Sequence, residues 1–223
     1  MRRVVLNLHG LGEPHDGVEA DERPYWLSFE AFDALLSRIA ASGEIGRYEW
    51  TFDDGNASDL VAARRLAELG IAARFFVLAG RLDQLHYLRR NDLAELRELG
   101  MTVGLHGRSH IDWRSCSRAQ LIDETIAARA EIASAVGTPV EEVAIPFGAY
   151  DRRVLGWLRQ CGFTRIHTSD GGALSDPAAP IWNRTSLRSD MAQAELEALL
   201  AGRWSPVQRL RQTLGTLHRR HIA

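Results

Sequence analysis

The sequence predicts an α/β fold, an incomplete or distorted barrel of parallel strands with helices outside. Three observations carry that expectation. Short apolar runs alternate with amphipathic segments of 3.6-residue period, the pattern of strands that cross over through helices. Polar residues recur at the C-terminal ends of those runs, the face on which (β/α) barrels build their sites. The chain has 223 residues, 45% of them hydrophobic, enough for one substantial core and short for two. One domain is therefore expected over 1–223, with a helical Arg-rich tail at about 203–223.

In order, the strands are expected at Val4 to Leu8, Arg47 to Phe52, Arg74 to Leu78, Thr102 to Leu105, Val143 to Ile145, Phe163 to Thr168 and Ile181 to Leu187. Ser28 caps a helix that presents Phe29, Phe32, Leu35, Leu36 and Ile39 on one face. Ser58 opens a second helix, closed by Gly70, and Asn91 a third, closed by Gly100. Ser117 and Gln120 form a capping box before Leu121 to Val136. Asp151 caps the helix that stops at Gly162, and further helical patterns follow Asp190 and Ser205.

Composition excludes several function classes. A formal charge of −2 and a pI near 6.5 give no drive towards nucleic acid or an anionic membrane. All 27 basic residues are Arg, so Schiff-base lysine chemistry and the P-loop lysine are both absent. Met1 to Gly10 reads as a first strand, not a signal peptide, and no run reaches the ~20 apolar residues of a membrane span. Cys116 and Cys161 form no C-x-x-C pair, which argues for reduced thiols, no structural zinc knot and a cytoplasmic protein. Oligomeric state is left open.

The chemistry lies in two motifs. Thr51-Phe52-Asp53-Asp54-Gly55 sets two adjacent carboxylates at the end of an apolar run, and His106-Gly107-Arg108-Ser109-His110 answers with two histidines in H-x-x-x-H spacing. Together they supply three metal ligands and one spare acid, as a metal hydrolase needs: three protein ligands leave a position open for water, and a further carboxylate can take its proton.

These motifs resemble those of the polysaccharide deacetylases of carbohydrate esterase family four, the NodB homology domain, whose first two motifs read T-F-D-D-G and H-[ST]-x-x-H. A third, R-x-P-[YF]-G, is partly present as Ala144-Ile145-Pro146-Phe147-Gly148. The resemblance implies a distorted (β/α)7 barrel, an incomplete TIM-like barrel. It implies Asp54, His106 and His110 as ligands of a divalent metal, Zn2+ first and Co2+, Ni2+, Mn2+ or Fe2+ next. It implies Asp53 as catalytic base and the backbone N–H of Phe147 as an oxyanion donor.

Two roles need other residues. The usual general acid is a His in an L-x-H motif near the end of the domain, but His218 and His221 lie in the Arg-rich tail. His9, at the end of the first strand, resembles the early His of the permuted branch that includes poly-N-acetylglucosamine deacetylases. Ala144 stands where the third motif has the Arg that orients the catalytic Asp; Arg184 or Arg108 can supply the guanidinium, Arg184 being preferred, with Asp170 as its own partner. Trp113, Trp182, Tyr150 and Trp26 are candidate platforms for a sugar face, and the long polar loop from Gly10 to Trp26 is of the kind that gates access or sets specificity. His15 and His167 read as structural.

The expected activity is removal of N-acetyl groups from an N-acetylated sugar or a cytoplasmic glycan precursor. Hydrolysis of a small cyclic ureide or imide is the alternative, and a glycan-binding relative without turnover the third reading.

Overall fold

The computed structural model describes residues 3–204, 214–217 and 219. The chain opens with β1 (Arg3–Leu8), two short strands β2 (Gly10–Leu11) and β3 (Trp26–Leu27) that flank the long loop, and α1 (Phe29–Ala41). Then β4 (Tyr48–Asp54), α2 (Ser58–Glu68), β5 (Ala73–Val77), α3 (Arg90–Glu98) and β6 (Thr102–Leu105) follow in regular alternation. Next come α4 (Arg118–Leu121), a π-helical stretch Ile122–Ala127 and α5 (Ala128–Val136), one helix in three parts. The last third holds β7 (Glu142–Ala144), α6 (Arg152–Gln160), β8 (Arg165–Thr168), β9 (Ala173–Leu174), β10 (Ile181–Asn183), β11 (Thr185–Ser186) and α7 (Gln193–Leu200).

The main sheet runs β10-β8-β7-β6-β5-β4-β1-β11, parallel throughout, and β9 adds antiparallel to β1. Its two ends are one stretch of chain. β10 pairs with β8 and β11 pairs with β1, and only Arg184 separates them. The stretch 181–186 thus joins both sides of the sheet and nearly closes it, leaving seven strand positions around the ring. The sequence expectation of a distorted (β/α)7 barrel holds, with one refinement: the single strand foreseen at Ile181 to Leu187 is two half-strands with different neighbours.

Alternation along the strands sorts the core into two layers. Leu6, Leu8, Trp50, Phe52, Phe75 and Val77 face the helices, where Phe52 stacks on Phe75 at 4.7 Å and Phe32 of α1 meets Trp50 and Phe52 edge-on at 6.2 Å. Each fully buried large apolar side chain stabilises by roughly 1.5–3 kcal/mol over exposure, so this outer layer holds the fold. The residues in between, Asn7, Thr51, Asp53 and Phe76, occupy the barrel interior with Arg184. Gly104 makes room there, since a Cβ would lie 2.4 Å from the Phe76 ring.

Helix caps follow the sequence at Ser28, Ser117 with Gln120, and Asp151. They differ at two places. Ser58 is the first helical residue of α2 and its hydroxyl accepts the N–H of Leu11, tying β2 to the helix. Asn91 lies inside α3, whose start is held by Asp92 accepting the N–H of Arg89. The helical pattern after Ser205 and most of the Arg-rich tail lie outside the described residues.

Candidate active site

β4 delivers Asp53 and Asp54 to opposite sides of the strand end. Asp53 points into the barrel and is 3% exposed. Arg184 grips it from the seam, Nη1 donating to Oδ1 at 2.7 Å and Nη2 to Oδ2 at 2.9 Å, a bidentate pair. Asn7 Nδ2 donates to Oδ2 at 3.0 Å, and Asn7 Oδ1 in turn accepts Arg184 Nη1 and Thr51 Oγ1, each at 2.8 Å. Burial raises the Asp53 carboxyl, but the charge and hydrogen bonds of Arg184 together with His106 and His9 outweigh it and hold the group well below the usual range. A buried ion pair of this kind adds little net stability over apolar packing, so its presence at the barrel mouth is a pointer to function.

Beside it, ligand atoms of Asp54, His106 and His110 all lie within 4.8 Å of one another. Each histidine Nε2 is 3.6 Å from Asp54 Oδ1. A tetrahedron with bonds of about 2.1 Å has edges of about 3.4 Å, so this spacing fits a small divalent ion. His106 Nδ1 is 2.9 Å from the Ala144 carbonyl, which can only accept, so that nitrogen carries the hydrogen and Nε2 presents its lone pair. Burial pulls His110 down to about 4 against the opposing charge of Asp54, which keeps it neutral and able to ligate. Asp54 Oδ1 is buried with no hydrogen-bond partner, an orphan that a cation would satisfy. Three residues here hold positive φ without being glycine, Asp54 at 78°, His110 at 54° and Phe147 at 57°. Strain of this sort persists where surroundings impose it, and it clusters at functional sites.

A cavity of about 540 Å3 opens above Asp53, His106 and His110. Its walls include His9, Glu22, Tyr25, Phe147, Ser169 and Arg188. His9 follows β1 and packs on Tyr25 at 4.9 Å; its Nδ1 is buried without a partner, and burial lowers its pKa although Asp54 and Asp53 oppose that. Phe147 is 59% exposed, and its ring lies 4.2 Å from that of His110. Arg188 covers Tyr25 at 5.4 Å, and Glu22 Oε1 is 3.7 Å from His110 Nδ1. The loop between β2 and β3 is what sequence reading left unspecified: its length marked it, but nothing singled out Glu22 or Tyr25, and Arg188 carried no signal at all.

Other candidates go elsewhere. Arg108 turns to Glu131 and Asp123, leaving Asp53 to Arg184. Asp170 takes the hydroxyls of Tyr150 and Thr168 and the guanidinium of Arg219. Trp113, Trp182, Tyr150 and Trp26 are buried; the aromatic rings of Tyr25 and Phe147 line the cavity. The reason is barrel packing: Trp182 is enclosed between the guanidinium groups of Arg74 and Arg165, and Trp113 Nε1 donates to buried Glu124. His167 bonds Glu142 and His15 stacks on His86. His218 and His221 lie outside the described residues.

Solved structures of similar shape are several. The chain superposes on a polysaccharide deacetylase from Bacillus cereus with a TM-score of 0.76 at 18% identity, covering 90% of this chain and 69% of that one. Deacetylase PplD of Streptococcus pyogenes, in complex with acetate, gives 0.76 at 17% over 92% and 99%. IcaB from Ammonifex degensii gives 0.73 at 21% over 91% and 97%. At such identities the likeness is one of fold. No curated protein matches the sequence. The family model for polysaccharide deacetylase, however, matches residues 44–166, more than half of the chain and the span that carries all three motifs. This chain belongs to the polysaccharide deacetylase family.

Proposed function

We propose that the chain is a divalent-metal-dependent N-deacetylase acting on an N-acetylated sugar or glycan precursor in the cytoplasm. The observation that carries this is the convergence of Asp54, His106 and His110 around a buried carboxylate oxygen that has no protein partner, next to an ionised Asp53 at the floor of an open cavity. Asp54, His106 and His110 hold the ion. A bound divalent ion, Zn2+ first and Co2+, Ni2+, Mn2+ or Fe2+ next, supplies Lewis acidity, lowering the pKa of water and polarising the amide carbonyl.

The protein's own groups do the rest. Asp53, fixed and kept charged by Arg184, accepts a hydrogen bond from the attacking water and aims its lone pair. Because its basicity is reduced, it holds the water's proton only transiently. His9, neutral in its buried setting, takes that proton on and delivers it to the departing amine. The N–H of Phe147 donates to the developing oxyanion, and the left-handed turn at Phe147 and Gly148 is what brings that backbone close. Tyr25 and the exposed ring of Phe147 offer apolar faces to a sugar, and the cavity volume suits one or two residues of a glycan.

Acetate release from N-acetylhexosamines and their oligomers tests this, using metal-stripped protein with single metals restored. Turnover is expected only with metal, and is lost in His106→Ala. Metal binding without acetate release would transfer the reading to a small-molecule amidohydrolase, and no metal binding would leave the glycan-binding relative.

A further inference from the structure

Gly107 stands where the family's second motif has Ser or Thr, and a carboxylate occupies the space a side chain would take. Gly107 has φ +100°, and a Cβ on it would lie 2.7 Å from Glu124 Oε2 and 3.2 Å from the Trp113 ring. Glu124 is 2% exposed, yet it meets the loop at three donors. The N–H of Arg108 donates to Oε2 at 2.9 Å, the N–H of Ser109 to Oε1 at 3.1 Å and to Oε2 at 3.3 Å, and Trp113 Nε1 to Oε2 at 3.3 Å. The Arg108 guanidinium points away to Glu131 and Asp123, so N–H dipoles carry the charge. Successive backbone N–H groups aimed at one anion form a nest, and charge-assisted bonds in a buried setting are strong and directional.

Helix packing alone asks for an apolar residue at this buried position; burying a carboxylate there is expensive unless its bonds are needed. Glu124 also sits in the π-helical stretch Ile122–Ala127, a wide turn of a type that concentrates at functional sites. The two histidines differ in what holds them. His106 follows directly on β6 and is fixed by its own bond to the Ala144 carbonyl. His110 has its ring nitrogens 3.6 Å from Asp54 and 3.7 Å from Glu22, beyond hydrogen-bond reach, so its backbone at φ 54° and packing on the Phe147 ring decide where the imidazole goes. That backbone hangs from Arg108 and Ser109 on the side of Glu124, while on the other the carbonyls of Gly107 and Arg108 accept from the N–H groups of Ala79 and Gly80 at 3.0 and 3.1 Å.

We infer that Glu124 is a positioning residue, the anchor for the N–H side of the 107–110 backbone, which thereby sets His110 against Asp54. The inference rests on reading Asp54, His106 and His110 as the metal set. Gly107 and Glu124 are then one device: the carboxylate stands 2.7 Å from where a Cβ on residue 107 would lie.

The test is metal affinity, measured by competition with a chromogenic chelator on folded protein whose melting temperature is recorded alongside. Glu124→Gln keeps the shape but turns an NH2 group towards N–H donors, and is expected to raise the metal dissociation constant about ten- to hundredfold, the range for groups that orient a ligand. Glu131→Gln, whose carboxylate bonds the Arg108 side chain and not the loop backbone, is expected to change it less than about twofold. Gly107→Ala is expected to weaken metal binding in the wild-type background and to do so less beside Glu124→Ala, where the clash with the carboxylate is gone and only the strain of φ +100° and the Trp113 contact remain. If Glu124→Gln melts lower but binds metal as the wild type does, Glu124 is a structural residue and the inference falls alone. A wild-type protein that binds no divalent metal sinks both this and the function on which it rests.

Discussion

Two buried carboxylates in this barrel look alike and differ in what surrounds them. Asp53 lies at the mouth, held by Arg184 and Asn7. Glu142 begins β7 at the opposite end, where Arg74 donates to Oε2 at 2.9 Å, His167 Nε2 is 2.8 Å from the same oxygen, and Arg165 bonds Oε1. Both stay ionised far into acid. Burial raises Glu142, but the bond from His167 and the charges of Arg74 and Arg165 outweigh it and hold it to about 2. A depressed pKa therefore does not single out the site. What separates them is what lies beside them: Glu142 is enclosed by Arg74, Arg165 and His167, whereas Asp53 opens on a cavity next to the converging ligand atoms of Asp54, His106 and His110 and three residues of strained backbone. A site declares itself by ligand atoms converging on an open cavity, and ion pairing alone marks structure just as often.

That contrast can be broken by removing each charge. Asp53→Asn is expected to lower kcat for acetate release by about 10²–10⁴, the range for loss of a general base. Glu142→Gln should leave kcat within a few-fold, but destabilise the fold by about 3 kcal/mol, the low end for a broken buried pair because Arg165 is partly solvated; urea unfolding measures it. If Glu142→Gln removed activity in fully folded protein, the division into a working end and a structural end would be wrong.

Acid sharpens the same point with a smaller effect. His167 is buried and neutral, lowered by burial to about 4 from 6.5, so between those values the unfolded chain binds the proton first and stability falls as pH falls. Glu142, at about 2 against an ordinary 4.5, contributes stability that is complete above about pH 4.5 and is lost towards pH 2. Both act in one direction. The urea midpoint of metal-free protein should therefore decline steadily below about pH 6.5, and below about 4.5 more gently in Glu142→Gln.

How much of this was legible beforehand depends on range. The strand and helix alternation and the three motifs are local, and periodicity with glycine and serine punctuation displays them. Caps at Ser58 and Asn91 failed because serine and asparagine carry the same local signal whether or not the chain starts its helix there; for Ser58 the hydroxyl went to a strand 47 residues away. Tryptophans at strand and loop ends look like sugar platforms in a sequence, but the barrel had volume to fill and took Trp113 and Trp182 inside. Arg184 is preferred over Arg108 because it lies on a strand of the same barrel, whereas Asp170, expected as its partner, bonds Tyr150, Thr168 and Arg219 instead. Glu124 left one faint trace, a glycine in a motif position that normally bears a hydroxyl.

The shared strand at 181–186 ties assembly to chemistry. Synthesis delivers the two aspartates early and Arg184 some 130 positions later, so a chain made as far as β8 has its acids and both histidines but an open sheet and an Asp53 without its cation. Zipping the last stretch against β1 completes the wall and charges the site in one motion. Partial products of translation, or molecules in which that edge has peeled away, have Asp53 without the guanidinium that pairs it.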